Sequence, residues 1–347
     1  MTYRMTRRGF VAAGAGSLAA AALVAPALAQ GAGKVSWRIQ SLWDGGTTPQ
    51  NFEEMFVKLV ADKTGGAFEL KLFSAGQIIA PAEAFDAVRS GAFELMKTFD
   101  GYAAGKIPAL AFSSTIPFGY VKAEDYAAWF HDKGGIDMVR EAYAPAGLHY
   151  IAPTVYDQEP IHSKVAITSL ADLAGKKGRF TGLASAVMGA FGVSVTPMPT
   201  AEVYAALDKG LIDIADRGDL QANLDAGLAE VAKFIVLPGV HQPTTATSYV
   251  ANRRAFDALP PDFQAALAEA AREVSAAYQA NKTKTDASAL EAFKAAGVTV
   301  NELAAEDVAA GRQKAVEAWK QATKDDALAI RILESQIAHM RELGLLA

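Results

Sequence analysis

The chain has 347 residues, 51% hydrophobic and 20% charged, which is enough apolar material for two modest domains or one large one. It contains no cysteine, and this excludes disulfides, thiol nucleophiles, zinc–thiolate sites and iron–sulfur clusters. The formal charge of −5, with no basic run, argues against nucleic acid and anionic membrane as partners.

Residues 1–29 read as an export signal. Arg4, Arg7 and Arg8 precede an apolar stretch from Val11 to Leu28, and Ala27-Leu28-Ala29 forms a small-x-small cleavage pattern before Gln30. Arg7-Arg8-Gly9-Phe10 has the form of a twin-arginine signal. The alternative is an uncleaved anchor, but the stretch is alanine-rich and barely long enough to span. Cleavage removes three arginines and no acid, so the charge goes from −5 to −8. No later segment is an uninterrupted apolar run of about 18 residues, so the mature protein is expected to be soluble.

After the signal, "VSWRIQSLW" alternates as a first strand, and "NFEEMFVKLVADKTGG" has apolar residues at helical spacing closed by a double glycine. "FELKLFSAG" alternates as a second strand, "PAEAFDAVRSGA" makes a short helix, and "FELMKTFDGY" a third strand leading into a loop. Strand, helix, strand, helix, strand is the order of a parallel α/β unit. The pattern restarts with strand-like runs in "AGLHYIAPTVYDQEPIHSK" and a strand entry in "DLAGKKGRFTG". The small-residue helix "SAVMGAFGV" and the short strand "SVTPMPT" follow. "TAEVYAALDKGLID" reads as a helix capped by Thr200, with Val203, Leu207 and Leu211 on one face, and "DIADRGD" as a strand end and turn. From Pro260 onward the chain is nearly all helical, with one short strand in "VTVNEL" and a break at Lys324-Asp325-Asp326.

Motifs of catalysis are missing. There is no HExxH, GxSxG or G-x4-GK[ST], and Gly14-Ala15-Gly16 lies inside the signal, so a dinucleotide reading fails. The histidines, His131, His149, His162, His241 and His339, show no metal-ligand spacing among themselves. Arg179 stands out instead: glycines flank its strand and small residues follow it, so a ligand can approach a guanidinium whose fork matches a carboxylate.

Taken together, "FVKLVADKTGGAFELKLFSAGQIIAPAEAFDAVRSGAFEL", "YAAGKIPALAFSSTIPFG", "DLAGKKGRFTG" and "TAEVYAALDKGLIDIAD" with "AEVAKFIVLPG" resemble the solute-binding subunit of tripartite ATP-independent periplasmic (TRAP) transporters. The likeness runs from about Lys34 to Leu346, and "YAAGKIPALAF" with "PFG" looks closest to the branch that binds α-keto acids and monocarboxylates. The resemblance implies an α/β fold of two lobes around a cleft, with mixed sheets, long lobe-spanning helices and a helical C-terminus. One lobe would hold residues 34–153 plus about 243–280, the other 154–242 plus about 281–347. It implies a periplasmic protein, not an enzyme, that captures a small organic acid (a 2-oxo or 2-hydroxy monocarboxylate) and passes it to the membrane permease subunits. A homodimer through the kinked C-terminal helix is compatible with the break near Asp325. A dicarboxylate or sulfonate binder and an exported enzyme on the same lobes are the competing readings, Asp100 or Asp216 being the only candidate bases.

The family's carboxylate-binding arginine falls on Arg179. In the keto-acid branch a bound sodium or calcium ion also touches the ligand, and its ligands fall on Gln158, on Asp216 with the backbone carbonyl of Arg217 after it, and on Gln242. This chain has Gln242 where the branch has glutamate, and Arg217 where the branch has an aromatic residue. One carboxylate and two amides make a weaker hard-cation site. Arg217 has three readings: a charge taking the metal's place, a second carboxylate anchor, or an ion pair with Asp216 or Asp219. Tyr102, with Asp100 and Phe99 before it, matches a first-lobe position that meets ligand oxygens. Trp43 and Asp44 are expected at the cleft mouth, beyond the carboxyl end of the first strand.

Overall fold

The computed structural model describes residues 34–346; the export signal falls outside the described residues. Two sheets organise them. The first has the order β2 (Phe68–Phe73), β1 (Val35–Gln40), β3 (Leu95–Thr98), β10 (Thr244–Asn252), β4 (Leu148–Asp157). The second has the order β11 (Thr299–Glu302), β9 (Phe234–Leu237), β5 (Ile161–Ser163), β8 (Ile214–Ala215), β6 (Lys177–Arg179), β7 (Ser194–Val195). The sheets are mixed: β2, β1 and β3 run parallel, whereas β10 joins β3 and β4 antiparallel. The late return of β10 into the first sheet makes each unit discontinuous in sequence.

Local chemistry explains the elements. In β1, Trp37 and Ile39 are buried while Ser36 and Arg38 are exposed, the alternation of a strand with one covered face. The Thr48–Lys63 helix starts with Pro49 near its first position and ends before Gly65 and Gly66, both at positive φ. Phe56 and Val60 on that helix pack with Phe68, Tyr249 and Phe263 in one core. The Pro261–Ala295 helix bridges the two sheets. Its first half buries Leu267, Ala271 and Val274 in the core of the first sheet, and its far end buries Ala289 and Phe293 in the core of the second.

Several expectations shift in detail. "TAEVYAALDKGLID" forms a 3-10 turn at Thr200–Glu202 and then a helix at Val203–Asp208 only, because Gly210 turns the chain at φ +68°. Val203 and Leu207 are buried, but Leu211 lies beyond the turn, 63% exposed, and Thr200 makes no cap. The break after the Ala305–Ala322 helix is a turn with Lys324 and Asp325 at φ 51° and 58°, and Asp326 caps the Ala327–Glu342 helix by accepting from Ala329 N at 2.8 Å. Ile332, Leu333 and Met340 of that last helix join the core that holds Tyr143 and Tyr150. Among the described residues no helix is long and apolar enough to cross a membrane.

Candidate functional site

Strand ends deliver the site. The chain leaves β1 through Ser41–Asp44, β3 through Phe99–Tyr102, β6 through Phe180 and Thr181, and β8 through Asp216 and Arg217. Residues just beyond carboxyl ends of parallel strands face the crevice of an α/β fold. Here Trp43, Phe99 and Tyr102 from the first sheet meet Arg179, Thr181, Asp216 and Arg217 from the second around one cavity. Tyr156, Glu159, Thr200, Gln242 and Thr247 complete its wall. The free space at its centre is about 10 Å³, room for one water, so a ligand enters only as the lobes part.

Arg179 is 2% exposed. Its Nε donates to Met198 O at 2.9 Å, and its Nη1 donates to Asp216 O at 3.1 Å and Asp216 Oδ1 at 2.5 Å. Its Nη2 has no hydrogen-bond partner although it is buried. The Tyr102 hydroxyl lies near enough to the guanidinium and to Thr200 to interact with both. A buried cationic nitrogen without a partner is costly, and a guest carboxylate placed there forms a charge-assisted bond.

Asp216 carries a second neighbour, His241 Nε2, at 3.8 Å from Oδ2. Burial pushes the His241 imidazole down to about 4, so it is neutral at physiological pH and packs edge-on against Phe180.

Arg217 is also buried, and it does not pair with Asp216 or Asp219. Its Nη2 donates to Asp44 Oδ2 across the cleft, and its Nη1 donates to Ala222 O at 3.2 Å. Asp219 caps the Leu220–Asp225 helix through Ala222 N and accepts from the Tyr278 hydroxyl. Arg217 is therefore ion-paired, but with Asp44 and not with the expected Asp216 or Asp219, while its side chain still lines the cavity.

Two expected site residues are not brought to the cavity. Gln158 turns its Oε1 to accept from Gly239 N at 2.7 Å and lines other hollows on the far side of the connection. Asp100 faces the core, accepting from Ser113 Oγ and the Tyr143 hydroxyl at 2.7 Å each, and burial pushes its carboxyl up to about 6. Its place beside Tyr102 in the chain puts the two side chains on opposite sides of the turn.

Glu159 is the acid that sequence reasoning missed. It is 3% exposed, accepts from the Tyr156 hydroxyl at 2.8 Å, and faces the cavity that Gln158 does not. Burial, with the Asp216 charge adding to it, pushes its carboxyl up to about 8. The available signal was the pair Gln158-Glu159 at a strand exit, where adjacent side chains point to opposite faces.

Among the described residues no group of three or more His, Cys, Asp or Glu side chains is arranged to hold a metal ion. The cavity nevertheless gathers oxygen donors: the Asp216 and Glu159 carboxyl groups and the buried Gln242 Oε1, which has no partner. That set fits a hard cation whose remaining sites a ligand's oxygens and water would fill.

Two sheets meeting at one arginine-lined cleft, bridged by one long helix, define a two-lobed α/β solute-binding protein. The model of the family DctP, bacterial extracellular solute-binding protein, family 7, matches residues 41–326, and the chain belongs to that family, the solute-binding proteins of TRAP transporters. It is 29% identical over 310 residues to a monocarboxylate 2-oxoacid-binding periplasmic protein of Nostoc sp., covering 89% of this chain and 85% of that one. A TRAP transporter solute-binding protein from Bordetella bronchiseptica, a dimer crystallised with copurified calcium and picolinate, superposes with a TM-score of 0.84 at 27% identity. That match covers 90% of this chain and 94% of that one. A TRAP periplasmic solute-binding protein from Pseudoalteromonas atlantica, with bound sodium and pyruvate, gives 0.82 at 25% identity over 89% and 95% of the two chains.

Proposed function

We propose that this protein captures a 2-oxo or 2-hydroxy monocarboxylate between its lobes and delivers it to the permease subunits of a TRAP transporter. The observation that carries the reading is the buried, unpartnered Nη2 of Arg179 at the centre of the cleft. Arg179 takes the carboxylate, and Tyr102 and Thr181 meet it from either side of the cleft. Asp216 orients the guanidinium, while Trp43 and Phe99 close the apolar walls. The relatives that bind 2-oxo acids, pyruvate and picolinate support an acid of this size and type.

Asp216, Glu159 and Gln242 would hold a sodium or calcium ion, which supplies positive charge beside the acid's second oxygen. Gln158 has no part in that set, and Arg217 serves the cleft closure. Residues 34–153 with about 243–280 and the Ala327–Glu342 helix, which bonds to Phe112, Asp125 and Trp129 and so does not join the second lobe as expected, would move as one lobe against 154–242 and the rest of the C-terminal region. Delivery to the periplasm would follow the twin-arginine route with cleavage after Ala29, and a homodimer through the C-terminal helix is part of the same reading.

Binding needs no chemistry, and Asp100, a candidate base for the enzyme alternative, is turned into the core. The test is a calorimetric titration with pyruvate, succinate and taurine, with and without prior chelation, followed by recovery of the ligand. One-to-one binding of pyruvate, weakened by chelation, with pyruvate recovered unchanged, is the expected outcome. Binding of succinate or taurine alone would contradict the ligand class, and a released product would contradict the binding role.

A further inference from the structure

We infer that a cavity behind the lobe connections, on the side away from Arg179, is a second binding site, for a zwitterionic amino acid with an apolar side chain, whose occupancy favours the closed lobes. The cavity has a volume of about 640 Å³. Both chain crossings wall it: Asp157 and Gln158 at the exit of β4, and Pro238, Val240 and Pro243 between β9 and β10. Glu159 and Gln242, on the same two crossings, face the anion cavity instead. The crossings are therefore a partition with one cavity on each side, and Gln158, which the anion cavity does not use, lines the far one.

Two of its charged groups are unanswered. Arg312, on the Ala305–Ala322 helix, is partly buried and pairs with no carboxylate among the described residues. Its Nε donates to Phe118 O at 2.6 Å and its Nη1 to Leu345 O at 3.2 Å, and burial pushes its pKa down with no charge opposing. Asp286, on the Pro261–Ala295 helix, accepts from Lys282 at Oδ2, but its Oδ1 is buried and has no partner. The other charged groups are satisfied or peripheral: Asp157 accepts from Ala123 N and Gln279 Nε2, and Lys122 and Glu124 are exposed. A guanidinium without a carboxylate and a carboxylate oxygen without a donor suit the two ends of an amino acid, its carboxylate to Arg312 and its ammonium to Asp286. Phe118, Val240, Leu303 and Val308 give its side chain an apolar wall. A guest that touches both crossings holds the arrangement seen here, so it and an acid at Arg179 strengthen one another.

The test titrates L-leucine by calorimetry into wild type, Arg312→Gln, Asp286→Asn and Arg179→Lys. 4-Methylpentanoate and 3-methylbutylamine, which keep one charged end each, are the comparison ligands. Circular dichroism melting checks folding, and if Arg312→Gln does not fold, Ala309→Trp, at an exposed helix position lining the cavity, fills it instead. One leucine is expected to bind wild type and Arg179→Lys alike, at least about tenfold tighter than either comparison ligand. Its affinity should drop by about tenfold in Arg312→Gln and in Asp286→Asn. Leucine that fails to bind, binds no tighter than the comparison ligands, or is lost in Arg179→Lys and kept in Arg312→Gln would overturn the site. Saturating leucine is expected to lower the Kd of pyruvate by about fivefold, and an unchanged or raised Kd would overturn the coupling. That last arm rests on the proposed capture of a carboxylate at Arg179. If pyruvate binds neither with nor without leucine, the capture reading falls, and the leucine titration still decides the site behind the connections.

Discussion

Arg179 gives Nη1 to Asp216 and Nε to the Met198 carbonyl, and Nη2 alone is left without a hydrogen bond. Nη1 sits 2.5 Å from Asp216 Oδ1, whereas Nη2, equally buried, completes no hydrogen bond, with the Tyr102 hydroxyl near the guanidinium. A buried pair of this kind holds the side chain in one pose, and breaking it leaves an uncompensated charge that costs about 3 kcal/mol or more. Asp216→Asn keeps the shape and removes the charge. Its urea-unfolding midpoint is expected to fall, and its affinity for a carboxylate to drop by about tenfold as the guanidinium loses its orienting partner. An unchanged midpoint and affinity would show that the pair does not organise the site.

Arg217 and Asp44 join segments 173 residues apart in sequence, and the Thr48 backbone N–H donates to Asp225 Oδ2 at 2.8 Å a few residues on. Both contacts tie the start of the first lobe to the 216–225 segment of the second, so they favour the closed cleft. Asp44→Ala is expected to speed ligand release by about threefold to tenfold with little change in association rate. Stopped-flow fluorescence of Trp43, which lines the cavity, reads the rate. Equal release rates would deny the latch.

Gly101 and Gly182 touch backbone to backbone across the cleft. A Cβ on Gly101 would stand 3.0 Å from Gly182 Cα and 2.4 Å from the Phe99 ring; one on Gly182, already at φ +57°, would stand 2.9 Å from Gly101 Cα. Gly101→Ala is therefore expected to prop the lobes apart and weaken binding by roughly tenfold, since closure loses its tight contact. Small-angle scattering at saturating ligand should give a larger radius of gyration than wild type. Identical radii and affinities would remove the glycine pair from the closure.

Glu159 predicts a pH dependence of stability. Its carboxyl is raised from 4.5 to about 8 in the folded state, chiefly by burial, with Asp216 and Asp219 nearby and Arg179 opposing. Between these values the folded chain keeps a proton that the unfolded chain has lost, so stability falls as pH rises from about 4.5 to about 8 and levels off above. Asp100 contributes in the same sense at lower pH and His241 in the opposite one, so the comparison is with Glu159→Gln. In cation-free, chelator-treated protein the variant should lose the part of the slope above pH 7 that wild type shows in thermal melts. Parallel melting curves for the two proteins would place Glu159 in water.

The fold was legible because its signals are local: alternation in β1, helical spacing in "NFEEMFVKLVADK", and the resemblance that implied discontinuous lobes. Arg179 was legible for the same reason, since its glycine-flanked strand is written in consecutive residues. Glu159 was not, because choosing between it and Gln158 needs the pleat at the exit of β4, and a slip of one residue exchanges the two faces. The partner of Arg217 was out of reach too. Asp44 comes beside it only when both lobes are folded and closed, and nothing near "DIADRGD" announces it. Asp100 misled because standing two residues before Tyr102 places its side chain on a different side of a 3-10 turn, toward the core.

The central claim is that Arg179 anchors the acid, and the most direct measurement is the Kd of pyruvate for wild type and Arg179→Lys by calorimetry, with melting curves of both. Lysine keeps the charge but not the planar fork that donates to Asp216, Met198 O and the ligand together. A loss of about a hundredfold in affinity with cooperative melting retained is the predicted result. Affinity within about twofold of wild type would contradict it.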